Sequence, residues 1–211
     1  MELPDFKYEK KLWQEGYQFV AGADEVGRGS FAGPVVTAAV IFDQRVVVPN
    51  HEITINDSKK LRPKQREKAV IWIKENALSW TIGASSVAEI NRLGVGRATQ
   101  IAFRRAIASC RLGIEYLLVD AFYVPYLKGL SKKRQKPIKK GDSLSISIAA
   151  ASIIAKVERD SLMRRLSRQH KEYGWGKNKG YGTRQHREAI QKYGTTKHHR
   201  KTFVETFLNA V

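Results

Sequence analysis

Two short apolar runs limit what this chain can become. Residues 18–24 (QFVAGAD) and 34–42 (PVVTAAVIF) are apolar and β-branched, and they read as strands joined by a glycine-rich connection. Residues 63–78 (PKQREKAVIWIKENAL) suit a helix that starts on Pro63 and puts Ala69, Val70, Ile73 and Ala77 on one side. Another strand is predicted over 80–88 (WTIGASSVA), then a long helix over 88–110, weakened by Gly94 and Gly96. A short buried strand over 115–120 (EYLLVD) ends in an acid. Beyond the basic segment 131–142, residues 143–170 read as a helix whose core face is marked by Ile146, Ala150, Ile153, Val157 and Leu166. From Thr183 the tail reads as one or two short helices. This order predicts an α/β domain with a mixed sheet covered on both faces, and the tail as a separate helical flap.

Charge narrows the class of partner. The chain has 211 residues, with 38 Lys and Arg against 20 Asp and Glu, a net charge of +18. A surplus of that size points to a polyanion, and to nucleic acid before membrane, because no long basic amphipathic segment with a clean apolar face occurs. The apolar runs fall well short of the roughly 20 residues a membrane span needs. No apolar signal segment opens the chain, so the cytoplasm is the expected location. Cys110 stands alone, which excludes an internal disulfide and a cysteine-based zinc site.

Against that basic background, the placement of a few acids is conspicuous. Asp24 ends one predicted strand with Glu25 beside it, Asp120 ends another, and Asp142 precedes the long Ala/Ser helix. In α/β sheets, functional groups gather at strand ends. Two carboxylates brought within about 4 Å repel by about 4 kcal/mol at an effective dielectric of about 20, so a cluster requires protons or cations. Oxygen donors suit hard divalent ions, and a pair of such ions would clamp an in-line phosphoryl displacement. Taken singly, the acids have plainer readings: Asp142 as a helix N-cap, Asp120 as a turn residue, Glu25 as an ion-pair partner of Arg28. Neighbours on a regular strand also point to opposite faces, so joint use of Asp24 and Glu25 calls for a bend near Gly27. His198 and His199 lie in a basic tail and read as phosphate-facing or solvated.

The segments DEVGRGSFAGPVVTAAVIF, NDSKKL, ATQIAFRRAI, LLVD, GDSLSISIAAASIIAKVERD and KGYGTRQHREAI, in that order, resemble the successive motifs of bacterial ribonuclease HII. The resemblance implies a ribonuclease H-like fold: a central mixed sheet flanked by helices over residues 1–170, and a C-terminal helical extension over 171–211 on the substrate side. It implies a metal-dependent endonuclease that hydrolyses the RNA strand of RNA–DNA hybrids. It further implies incision 5′ of single ribonucleotides in duplex DNA, leaving 3′-hydroxyl and 5′-phosphate ends. The family's metal-binding and catalytic acids fall on Asp24, Glu25, Asp120 and Asp142, for Mg²⁺ or Mn²⁺. Its glycine–arginine–glycine reader of the ribose 2′-hydroxyl falls on Gly27, Arg28 and Gly29. The phosphate-contacting motif falls on Asp57, Ser58 and Lys59, and the junction-sensing tyrosine on Tyr181. A monomer acting on hybrids and on ribonucleotide-containing duplex DNA is expected.

Arg62 stands where many relatives carry serine, which is expected to remove a helix cap. The sister type, ribonuclease HIII, is disfavoured by Arg28 and by the lack of room for an N-terminal substrate-binding domain. Two rivals stay open on sequence alone. One is a catalytically silent nucleic-acid binder, for which a carboxylate cluster would be a handicap. The other is a junction resolvase, which has no use for the Gly27–Gly29 and Tyr181 motifs.

Overall fold

In the computed structural model, which describes residues 3–48 and 53–209, the two apolar runs become β1 (Val20–Val26) and β2 (Val35–Phe42). They pair antiparallel, with Asp24 opposite Ala38 and Glu25 opposite Thr37. β3 (Ala77–Ser85) pairs antiparallel with β2, while β4 (Tyr116–Asp120) and β5 (Gln135–Ile138) add in parallel on the other side of β1. The result is a five-stranded mixed sheet in the order β3-β2-β1-β4-β5.

Seven helices are described: α1 (Lys7–Gln14), α2 (Pro63–Asn76), α3 (Val87–Ala108), α4 (Ile146–Gln169), α5 (Trp175–Asn178), α6 (Arg184–Tyr193) and α7 (Lys201–Leu208). Both faces of the sheet are covered, as the apolar strands require. α4 packs on β1 and β2 from one side and α3 packs on β2 and β3 from the other. Two glycines set how closely they approach. A Cβ on Gly22 would fall 2.2 Å from the Ser147 carbonyl carbon, and one on Gly83 would fall 2.1 Å from the Ala102 oxygen. No helix among the described residues is long and apolar enough to cross a membrane.

Several sequence expectations shift. β3 begins at Ala77, directly after α2 ends, so the strand is longer at its start than the predicted 80–88 and stops earlier. α3 is kinked, with Gly94 at φ 78° and ψ 155°. Arg62 makes no side-chain cap to α2, and the Gln65 side chain instead accepts from the Arg62 N–H (2.8 Å). Asp142 is not the N-cap of α4; that position belongs to Ser145, whose hydroxyl accepts from the Ile148 N–H. The distal half of α4 buries Arg159, Asp160 and Met163, while Val157 and Leu166 are only half-buried. The reason is what packs there: residues 171–209 fold back over that face.

This C-terminal segment joins the sheet domain through backbone as well as side chains. The Phe31 and Ala32 N–H groups donate to the Gly180 oxygen (2.8 and 3.1 Å), and Gly33 N–H donates to the His198 oxygen (2.9 Å). Tyr173, Trp175, Ile190 and Val204 close a small apolar core with Ala32 and Met163.

Candidate active site

The parallel pairing of β1 with β4 sets the site. Ala23 lies beside Val119, so the next residue of each strand, Asp24 and Asp120, emerges at the same carboxyl edge. Asp142 is carried by a single tight turn over 141–143, just ahead of α4. That turn is tied to the sheet, because the Gly141 N–H donates to Asp120 Oδ1 (2.8 Å). β1 keeps its register through Val26, so the expected bend comes at Gly27 (φ 97°), after the two acids and not between them. Asp24 and Glu25 therefore leave opposite faces of the strand, and both feel Asp120.

Electrostatics mark these groups out. Burial, then the Glu25 charge, drives Asp24 well above the usual carboxylate range, with Asp120 adding to the rise and the Ser152 hydroxyl opposing it. Glu25 is pushed up to about 7, by burial first, with Asp120 adding and Arg28 and Lys59 opposing. Asp142 rises to about 6, again by burial first, with Asp57 and Asp120 adding. Burial would lower Lys59, but Asp57, Asp142 and Asp24 around it carry its ammonium above the ordinary value. Arg28 meets Glu25 at 3.4 Å from a side chain that is 48% exposed, a weak partner for a buried carboxylate.

Most of the other predicted residues share one cleft with Glu25, while Asp24, Asp57, Asp120 and Asp142 are not among its lining residues. Glu25, the Gly27–Gly29 loop, Lys59, Lys156 and Tyr181 line a cleft of about 220 Å³. Ser58 is buried, its hydroxyl 3.0 Å from that of Ser152, and so anchors the Asp57–Lys59 loop to α4. Asp57 shapes the loop by accepting from the Lys59 N–H (2.9 Å). Tyr181 is half-buried and bridges to Ser30. A larger cavity, of about 560 Å³ around Cys110 and Tyr126, lies beside the start of β4 and is lined by no carboxylate among the described residues.

Sequence reasoning missed the supports of the cleft. Arg159, fully buried on α4, donates to the Pro34, Lys179 and Ala32 oxygens (2.9, 2.9 and 3.0 Å) and lies under Gly27. A Cβ on Gly27 would fall 2.1 Å from Arg159 Nε. Arg200 donates to the Gly33 oxygen from Nε and Nη2 (3.0 and 2.8 Å) and to the Arg28 oxygen from Nη1 (2.7 Å). The available signal was positional: Arg159 falls one turn after Ala155 and one before Met163, on the apolar face of α4.

His198 and His199 are corrected. His199 is 2% exposed and His198 is half-buried, packed edge-on against His170 and Trp175, so neither stands free in solvent. Thr196 N–H donates to His199 Nδ1 (2.9 Å), which leaves the proton on Nε2, 3.1 Å from His186 Nε2. Trp175 Nε1–H donates to the same His186 nitrogen (3.0 Å), and His186 Nδ1–H reaches the Tyr181 oxygen (3.0 Å). Both rings are neutral in this arrangement, and they hold the loop that carries Tyr181.

The donor set fits divalent cations. It consists of oxygen, raised by burial and mutual repulsion, and one Glu25 carboxylate oxygen (Oε2) is buried with no hydrogen-bond partner. Among the described residues, no three His, Cys, Asp or Glu side chains are drawn together tightly enough to enclose an ion as they stand, as expected of acids that repel.

The strand order and the acids at the β1–β4 edge place the molecule in the ribonuclease H-like class. Its fold neighbours agree. It superposes on ribonuclease H2 from Pyrococcus horikoshii with a TM-score of 0.73 at 25% identity, over 91% of this chain and 98% of that one. It superposes on a ribonuclease HIII crystallised with Mn²⁺ with a TM-score of 0.65 at 20% identity, over 92% and 70%. Residues 21–207 match the ribonuclease HII family, and the chain belongs to it. It is 49% identical over 201 residues to ribonuclease HII of Caldanaerobacter subterraneus subsp. tengcongensis, spanning 95% of this chain and 80% of that protein. Its identity to the enzyme of Wolbachia pipientis subsp. Culex pipiens is also 49%, over 204 residues, spanning 96% and 97%. It is thus an RNase H endonuclease that hydrolyses RNA in RNA–DNA hybrids, in a family that works with divalent metal.

Proposed function

We propose that this enzyme also incises duplex DNA 5′ of single embedded ribonucleotides, leaving 3′-hydroxyl and 5′-phosphate ends, as a cytoplasmic monomer that clears misincorporated ribonucleotides. The observation that carries the reading is the contact between two features. Glu25, at the β1–β4 edge, lines one cleft with the Gly27–Gly29 loop and meets Arg28 at 3.4 Å, so a phosphate held by the acids would have the sugar of its own nucleotide against that loop.

Asp24, Glu25, Asp120 and Asp142 would hold Mg²⁺ or Mn²⁺, two ions in the full arrangement. Bound there, the ions supply Lewis acidity for hydrolysis of the phosphodiester and offset charge on the oxygens around phosphorus. The chain's own residues do the positioning. Only the 2′-hydroxyl tells ribose from deoxyribose, and a loop without Cβ atoms at 27 and 29 allows backbone to approach it. Arg159 and Arg200, fixed on carbonyls, hold that loop in place. The Tyr181 ring offers a flat surface for the neighbouring sugar. Lys59, on the loop that Asp57 shapes and Ser58 anchors, offers a cation to the backbone phosphate. Residues 171–209 serve as an extension on the substrate side, presenting Tyr181 from a packed base.

The test is an end-labelled DNA duplex with one internal ribonucleotide beside an RNA–DNA hybrid and an all-DNA control, each with Mg²⁺, Mn²⁺ or EDTA. The reading predicts one metal-dependent cut, 5′ of the ribonucleotide, and none in the control. Cutting of hybrid but not of the single-ribonucleotide duplex would refute the finer claim. Salt-sensitive binding with no cutting of either would restore the silent binder.

A further inference from the structure

Beyond the cleft, on the far side of the Asp142 turn, lies a groove of about 570 Å³ that the reaction does not use. Its walls are Lys7 and Lys11 of α1, Lys60, and Lys136 of the edge strand β5, over a floor that includes Tyr8 and Leu144. Lys7 and Lys11 stand one helical turn apart on the same face, a like-charge pair that weakens a helix unless an anion lies over it. Lys136 extends its ammonium over the Tyr8 ring, 4.9 Å from the centroid, and Lys60 Nζ donates to Ser143 Oγ (3.0 Å). Among the described residues, the only carboxylate lining the groove is Asp5, and its Oδ1 already accepts from the Lys7 N–H (2.9 Å). Four ammonium groups thus converge against one committed acid.

The groove adjoins the site through residues that are neighbours in sequence. Lys60 follows Lys59, whose ammonium responds to Asp24 and Asp142, and Ser143 follows Asp142. The joint between α1 and this turn is firm. The Ile146 N–H donates to the Asp5 oxygen (3.1 Å), and the buried Glu9 carboxylate accepts from the Ser145 hydroxyl (2.6 Å) and the Ser147 N–H (3.0 Å). A strand of nucleic acid that passed Asp142 would therefore meet these lysines.

We infer that the α1–β5 groove is a second phosphate-binding site, which takes the backbone of the duplex flanking the cut. It rests on the functional reading only in taking a nucleic-acid duplex as the ligand. An acidic peptide would be offered the same charges, but the place of the groove beside Lys59 and the Asp142 turn favours the duplex.

The probes are two RNA–DNA hybrids, one ending within a helical turn of the reacting bond and one extending two turns past it on both sides. Binding is measured by fluorescence anisotropy over a range of salt, in EDTA, so that the result does not depend on cutting. For Lys7→Gln/Lys11→Gln, the slope of log K against log salt on the long hybrid is expected to fall in size by about 2, roughly 0.9 for each phosphate that no longer meets a lysine. On the short hybrid the slope is expected to hold. Lys136→Gln, on a different element, is expected to remove about 1 more, which separates loss of the groove from any loosening of α1. Equal reductions on both hybrids would mean that the lysines act only through net charge, and an unchanged slope on the long one would mean that no phosphate lies there; either overturns the groove. Preferential, competitive binding of a poly-glutamate peptide by the groove, with no change in the duplex slope, would assign it to a protein partner instead. Failure of the functional reading would show separately, as absence of cutting by the unaltered enzyme with metal present.

Discussion

At the β1–β4 edge, Asp24 is buried and Glu25 half-buried among further acids, with only the exposed Arg28 and Lys59 to answer them. Under the neighbouring loop, Arg159 and Arg200 are buried more completely still, yet each of their guanidinium nitrogens donates to a backbone carbonyl. A satisfied buried charge fixes geometry; one left without its counter-charge is stabilised only when something else arrives. The arginines belong to the architecture, and the carboxylates are the groups proposed to receive cations and substrate. The two regions touch at Gly27, where the loop proposed to read the sugar rests on Arg159.

This contrast can be broken most sharply at Asp24. Asp24→Asn removes an oxygen proposed to hold metal and is expected to cut hydrolysis by on the order of a thousandfold, the scale of several kcal/mol of lost transition-state stabilisation. Duplex binding should be retained or strengthened, since a charge that repels phosphate is gone. Gel assays beside anisotropy check this, and a joint loss of cutting and binding would argue against the metal role.

Next in size is Arg200→Met. It leaves the Gly33 and Arg28 oxygens without their donor and is expected to lower stability by about 3 kcal/mol, read by urea unfolding. A loss near zero would show that these carbonyls find water and that the arginine is no staple.

The smallest effects are in pH, and the two regions have opposite signs. Glu25, ordinarily near 4.5, is raised to about 7 in the fold, so the folded state holds its proton longer than the unfolded chain. In metal-free protein its contribution is full below about pH 4.5 and is lost as pH rises through about 7. His199 is lowered to about 4 from 6.5, by burial and then by the His186 charge. Its contribution is full above pH 6.5 and is lost as pH falls through about 4. Each slope is at most about 1.4 kcal/mol per pH unit. In EDTA, Glu25→Gln should remove the falling limb and His199→Asn the rising one; a shared effect would mean that the regions are not separable.

Much of this was legible in the sequence because the signals were local and apolar. β1, β2 and β4 announced themselves as buried runs, and the acids at their ends followed from position. What escaped depended on contacts between distant segments. β5 is short, charged and contains Pro137, and it holds only as an edge strand beside β4, with the buried Gln135 side chain pairing to both backbone groups of Val124. α1, KYEKKLWQ, reads as a charged segment until Leu12, Trp13 and Glu9 are seen docked. His199 and Arg200 look like basic tail, and only the fold of residues 171–209 takes them inside.

Everything said of the β1–β4 edge turns on its acids being held against their mutual repulsion, ready to accept cations. The most direct test is thermal unfolding of the native protein and Asp24→Asn at neutral pH, in EDTA and with Mn²⁺. In EDTA the variant is predicted to melt above the native protein, because one buried like charge has been removed. Mn²⁺ is predicted to raise the native melting temperature clearly and the variant's little. A native protein indifferent to Mn²⁺, with Asp24→Asn less stable in EDTA, would contradict this and return these carboxylates to an ordinary structural role.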